Sequence, residues 1–178
     1  YCDTTYAYEG GTPMTCGEIV ARCDALGCEV VEVTGGEPLC QPECAGLVTC
    51  LLEKGYTVLV ETNGSVPIVP LPSGAIRIMD LKCPGSGMAE KNDWTNIQAL
   101  GTRDEIKFVI SDRSDYEWAR GIVAEHGLCE RCNAVLFSPV FGVLDASSLA
   151  SWIVEDGLKV RLQIQLHKCI WPHEQRGV

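Results

Sequence analysis

The sequence predicts an α/β fold, a partial (βα) barrel with mostly parallel strands, and three observations carry that prediction. Short apolar runs alternate with helical segments, so successive strands need the crossover connections of parallel pairing. The runs are apolar rather than strictly alternating, as expected of strands covered on both faces. Nearly every run ends in a polar or Gly/Pro motif on its carboxyl side, where barrel enzymes gather their sites. A doubly wound sheet would instead concentrate such motifs at one switch point.

The strands are expected at 29–33, 57–61, 76–81, 105–110, 134–137 and 159–166. The first helix has a capping box, because Thr15 stands three residues before Glu18; Ile19, Val20, Cys23 and Leu26 then repeat on one face as far as Gly27. Further helices are expected at 42–54, 115–126 and 147–155, each followed by a glycine suited to a left-handed helix end. Residues 63–75 and 83–103 carry Gly, Pro, Ser and Asn without a clear helix and are read as functional loops.

With 178 residues, 46% of them hydrophobic, the chain suits one domain with a sizeable core. A net charge of −10 without a Lys/Arg block excludes nucleic acid as the default partner. No apolar run approaches a membrane span and no signal segment is visible, so a cytoplasmic protein without a membrane partner is expected. Eleven cysteines in such a chain point to metal, cluster or redox chemistry, although Cys16, Cys23, Cys28, Cys44 and Cys50 are read as small buried apolar residues.

The first predicted strand runs into Thr34-Gly35-Gly36-Glu37-Pro38, where two glycines let a ligand approach the backbone. Upstream lies Cys2-Asp3-Thr4; downstream, Glu61-Thr62-Asn63-Gly64 and Asp80-Leu81-Lys82 follow the next two strands. In this combination the chain resembles the radical S-adenosylmethionine superfamily. The tail Gln163-Ile164-Gln165-Leu166-His167-Lys168, with Trp171 beyond it, extends the resemblance to the 7-carboxy-7-deazaguanine synthase family, from end to end. That family is a group of carbon–nitrogen lyases of queuosine biosynthesis, which contract 6-carboxy-5,6,7,8-tetrahydropterin to 7-carboxy-7-deazaguanine with loss of ammonia.

The resemblance implies a [4Fe-4S] cluster, S-adenosylmethionine and Mg²⁺ as cofactors. Cys2 becomes a cluster ligand, and Thr4 a Mg²⁺ ligand through its hydroxyl oxygen, with Asp3 either holding a metal-bound water or serving a turn. Gly35, Gly36, Glu37, Glu61, Asn63, Asp80, Lys82, Ser138 and Pro139 fall on the cofactor side. Asp80 departs from the Ser-Pro-Lys usual there. Thr34, Gln165, His167 and the terminal Val178 fall on the substrate side. For the tail, strand alternation would put Gln163, Gln165 and His167 on one inward face. A pterin substrate, a homodimer and an electron donor, either a reductase or a flavodoxin or ferredoxin, are implied as well. The superfamily uses three cluster cysteines, and the other two would precede Tyr1. Residues 1–178 are therefore expected to be a single radical S-adenosylmethionine domain lacking its N-terminal segment, inactive by itself.

Two rival readings stay open at this point. Another radical S-adenosylmethionine enzyme, such as a glycyl-radical activase, would share Cys2 and the glycine turn; a non-catalytic thiol-rich metal-binding domain would need neither. Cys129 and Cys132 have zinc-like or redox spacing without a second pair, while Cys83 and Cys169 are candidates only by number. His126 reads as a surface or capping residue, and His173 is ambiguous.

Overall fold

The computed structural model of the chain describes residue 5 and residues 10–171. Among these residues six strands form one parallel sheet in sequential order: β1 (Val30–Val33), β2 (Thr57–Thr62), β3 (Ile76–Leu81), β4 (Glu105–Ile110), β5 (Ala134–Pro139) and β6 (Arg161–Leu162). The helices are α1 (Cys16–Leu26), α2 (Cys44–Glu53), α3 (Asn96–Ala99), α4 (Arg113–His126), α5 (Leu128–Arg131), α6 (Ala146–Glu155) and α7 (Leu166–Ile170). Because the order never reverses, crossovers of one hand place their helices on one side of the sheet, the arrangement of an open barrel and not of a doubly wound sheet.

One-sided cover corrects the expectation that the strands are buried on both faces. On β4, Ile106, Phe108 and Ile110 are fully buried while Glu105, Lys107 and Val109 are only partly so, and β2 alternates in the same way. The covered face packs Val58, Val60, Met79, Leu81 and Phe137 against Val48 and Leu51 of α2, Tyr116 and Val123 of α4 and Leu149 of α6. Phe108 meets Phe137 edge-on at 5.5 Å, and the Tyr116 hydroxyl ties α4 to α6 by donating to the Trp152 carbonyl at 2.8 Å. Among the described strands only β5, the most apolar run, is buried along both faces.

The capping box of α1 forms: the Thr15 oxygen accepts the Glu18 N–H at 3.3 Å, and the Glu18 carboxylate accepts the Thr15 N–H at 2.7 Å. Its apolar stripe is shorter than expected, since Val20 is buried but Leu26 is 77% exposed. The cysteine expectation narrows likewise. Cys44 is buried, Cys16, Cys23 and Cys50 are partly buried, and Cys28 is exposed.

The last strand is much shorter than 159–166. Gln163 still donates its N–H to the Phe137 carbonyl at 2.9 Å, but Pro139 of β5 has no N–H to continue the ladder. The chain leaves the sheet after Leu162 and winds into α7, so alternation along a strand does not set the facing of Gln165 and His167. Region 83–103 also holds more structure than expected: helical turns at Pro84–Ser86 and Ala89–Lys91, then α3.

Candidate active site

At the carboxyl ends of β1 and β2, two turns are tied together by one side chain. Gly35 takes a φ of 146°, which side chains rarely adopt, and nothing lies within 4 Å of where a Cβ would stand. Glu37 then caps the turn Pro38–Cys40. Its carboxylate accepts the Leu39 N–H at 3.1 Å, the Thr62 hydroxyl at 2.9 Å and the Asn63 N–H at 2.7 Å. All three donors belong to the protein, so Glu37 shapes the Gly-Gly turn. Asn63 spends its side-chain oxygen on the Ser65 N–H at 2.9 Å. Behind them, Asn96 is 1% exposed and accepts from Ile68 N–H at 3.0 Å while donating to the Val66 and Gly64 carbonyls at 2.9 and 3.2 Å, which fixes the loop after β2.

The end of β3 is held just as closely. Asn92 exchanges two hydrogen bonds with the backbone of Lys82, at 2.9 and 3.0 Å. Asp115, 1% exposed, accepts from Gly85 N–H at 2.7 Å, Ser111 N–H at 3.1 Å and the Ser111 hydroxyl at 2.5 Å, joining the loops after β3 and β4. A Cβ on Gly85 would stand 2.5 Å from an Asp115 oxygen, so only glycine fits. Cys83, 1% exposed, has its thiol pushed well up by burial first and by Asp115 and Asp80 next, which keeps it a neutral packing residue.

On the uncovered face, strand register places charged residues side by side. Asp80 is the register partner of Lys107, and Glu61 is the partner of Ile78, two residues before Asp80. Lys107 Nζ lies 2.6 Å from Glu61 Oε1, and Lys82 Nζ lies 2.8 Å from Asp80 Oδ2. Burial opposes the Lys107 charge, but Glu61, with Asp80 and Glu32 adding, holds its ammonium above the ordinary value. Burial and then Glu61 raise the Glu32 carboxyl, against the pull of Lys107. Asp80 is 8% exposed, and its Oδ1 is buried without a hydrogen-bond partner. An orphaned acceptor of this kind at a strand end suits a ligand donor.

Ser138 and Pro139 are buried at the end of β5. The loop beyond them meets the tail, where Lys168 Nζ sits 4.7 Å over the Phe141 ring. The structure thus brings Thr34, Gly35, Gly36, Glu37, Glu61, Asn63, Asp80, Lys82, Ser138 and Pro139 to the strand-end side of the sheet. Gln165 precedes α7 and His167 lies in its first turn, both partly buried. Cys2, Asp3, Thr4, His173 and Val178 lie outside the described residues. Among the described residues no group of three or more His, Cys, Asp or Glu is placed to hold a metal. Cys129 donates to the Lys159 carbonyl at 3.4 Å, Cys132 is buried with its thiol pushed up to about 11 by burial first, and both are free thiols. His126 stacks on Trp94 at 5.8 Å.

Sequence reasoning missed Glu32, Lys107, Asn96 and Asp115. The only signal for the first two was a charge inside an apolar run, at Val31-Glu32-Val33 and Ile106-Lys107-Phe108.

An open parallel barrel with an accessible Gly-Gly turn and an unpartnered acceptor at its strand ends has the architecture of an enzyme that binds its ligands at the carboxyl ends of the strands. QueE from Escherichia coli shares the fold with a TM-score of 0.72 at 16% identity, over 93% of this chain and 78% of that one. Streptococcus suis SuiB bound to S-adenosylmethionine does so at 0.59 and 12%, over 93% and 48%. No protein-family model matches the chain. The chain belongs to the 7-carboxy-7-deazaguanine synthase family: it is 44% identical to the synthase of Koribacter versatilis and 45% to that of Chlorobaculum tepidum, over its whole length and over 85% and 82% of theirs. The Methanospirillum hungatei synthase is 37% identical over 96% of this chain and 70% of its own length. No helix among the described residues is long and apolar enough to cross a membrane.

Proposed function

We propose that the protein converts 6-carboxy-5,6,7,8-tetrahydropterin to 7-carboxy-7-deazaguanine and ammonia, using S-adenosylmethionine, a [4Fe-4S] cluster and Mg²⁺. The observation that carries this reading is the alignment with two synthases of this name at 44% and 45% identity over the whole chain. When bound, the cluster and S-adenosylmethionine supply a hydrogen-abstracting radical. The chain's own share is placement and exclusion of water.

In this reading Gly35 and Gly36 offer backbone groups to S-adenosylmethionine, in a turn that Glu37 holds rigid. Asp80 Oδ1 accepts from a ligand donor while Lys82 neutralises the other oxygen, and Glu61, Asn63, Ser138 and Pro139 line the same side. Thr34 meets the pterin from the end of β1, and Gln165, His167 and Val178 approach it from the tail; the Lys168–Phe141 contact supports that approach by lodging α7 against the β5 loop. Cys2 and Thr4 are the proposed cluster and Mg²⁺ ligands. A homodimer, a reductase, flavodoxin or ferredoxin as electron donor, and a cytoplasmic location complete the proposal.

The test is anaerobic turnover. Expressed from its full reading frame, reconstituted with iron and sulfide and given reductant, Mg²⁺, S-adenosylmethionine and the pterin, the protein is expected to release 7-carboxy-7-deazaguanine and ammonia in equal amounts. Recovery of unchanged pterin beside an intact cluster and cleaved S-adenosylmethionine would overturn the substrate assignment.

A further inference from the structure

Among the described residues, five charged side chains lie on the uncovered face of the sheet near its carboxyl edge: Glu32, Glu61, Asp80, Lys82 and Lys107. Two ion pairs account for four of them, Lys107 with Glu61 at 2.6 Å and Lys82 with Asp80 at 2.8 Å. Glu32 is left over. No hydrogen bond or ion pair to its carboxylate exists among the described residues. It is not remote from the others, since Glu61 and Lys107 both act on its ionisation and it in turn acts on Lys107. In β1 it pairs in register with Leu59, two residues before Glu61, and by strand alternation it shares its face with Thr34, two residues on.

This face therefore carries three carboxylates and two ammonium groups, with two acceptors that no described protein group fills: the Glu32 carboxylate, on an exposed residue, and the buried Asp80 Oδ1. Another anion would add to the excess of negative charge. A neutral or cationic group rich in N–H donors would complete the face. The product named by the family has such an edge, because a 7-deazaguanine ring presents a ring N–H and an adjacent amino group side by side. A carboxylate accepts two parallel N–H donors in a bidentate pair, and the charge-assisted geometry is both strong and specific.

We propose that Glu32 is a specificity-determining residue whose carboxylate receives the paired ring N–H and amino donors of the 2-amino-4-oxopyrimidine edge shared by the pterin substrate and the deazaguanine product. This assignment rests on the proposed synthase activity and names the group that would read its substrate. The Lys107–Glu61 pair then has a positioning role, because it keeps the neighbouring carboxylate occupied and leaves Glu32 as the open acceptor. Asp80 Oδ1, on the next strand but one, stays available to the other ligand.

Equilibrium binding tests this without turnover. The probes are 7-carboxy-7-deazaguanine and its analogue lacking the 2-amino group, titrated into the full-length protein by calorimetry. The intact protein is expected to bind the amino compound about 10- to 100-fold more tightly, the range for losing one partner of a charged hydrogen bond. In Glu32→Gln one donor meets an amide NH₂ instead of an oxygen, so that preference should fall to about threefold or less, while S-adenosylmethionine binding and the circular dichroism spectrum stay unchanged. Glu32→Asp, which keeps the charge, should retain part of the preference. If Glu32→Gln keeps the full preference, Glu32 does not read this edge and the proposal is overturned. If the intact protein binds neither compound, the synthase reading itself fails, which is a separate outcome.

Discussion

The carboxylate of Glu37, in the turn after β1, accepts the backbone N–H of Asn63, after β2, at 2.7 Å. The same carboxylate takes the Thr62 hydroxyl and the Leu39 N–H, so it serves three donors across two loops. An amide cannot do this with one oxygen. Glu37→Gln turns an N–H donor toward another donor and should destabilise the fold by about 1–3 kcal/mol. It should also weaken S-adenosylmethionine binding, because the Gly35–Gly36 turn loses its anchor. Urea denaturation and equilibrium dialysis measure the two effects; a loss of affinity without loss of stability would mean that Glu37 touches the ligand directly.

Asn96 does comparable work from beneath. Its amide serves Ile68 N–H and the Gly64 and Val66 carbonyls, all with 1% of the residue exposed. Asn96→Ala strands these groups in the interior and should cost about 2–4 kcal/mol. Hydrogen exchange should rise first at Ile68, whose N–H loses its acceptor, and only later in β4.

Asp80 separates ligand binding from folding. One oxygen holds Lys82 and the other is buried and unspent, which is tolerable if a ligand donor completes it. Asp80→Asn removes the charge with little change in volume. S-adenosylmethionine affinity should fall about 10-fold or more, the loss of one charge-assisted bond, while the melting temperature changes little. Unchanged affinity in the variant would return Asp80 to a purely structural ion pair.

The fold was legible because its strong signals are local. Capping at Thr15, the apolar run of β4 and the glycine after α4 depend on neighbours in sequence, and these elements stand where expected. The tail was misread because what ends β6 lies elsewhere: Pro139, on another strand, lacks the N–H that Gln163 would need. The glycine turn was visible as a motif, but the role of Glu37 was not, since two of its partners are 25 and 26 residues away. Lys107 was hidden for a similar reason. A charge in an apolar run reveals itself as site-facing only once the helices are known to cover the other face.

Lys107 leads to the last prediction. Its ammonium is partly buried, and desolvation alone would push a proton off it; Glu61, assisted by Asp80 and Glu32, more than reverses this, so the folded state holds the proton more tightly than the unfolded chain does. Stability from this pair is therefore fully present below the ordinary lysine value of 10.5 and is lost as pH rises through the raised folded value. Lys107→Met keeps much of the stem's packing but leaves Glu61 without its partner beside Glu32 and Asp80. At neutral pH it should lower stability by about 1–3 kcal/mol, discounted from a fully buried pair because both side chains retain some exposure. The two proteins should then converge as pH rises past the folded value, where the wild-type lysine becomes neutral. Denaturation curves carried from pH 7 to beyond the raised folded value decide the matter: a gap between wild type and variant that stays constant even there would show that Lys107 contributes packing and no charge.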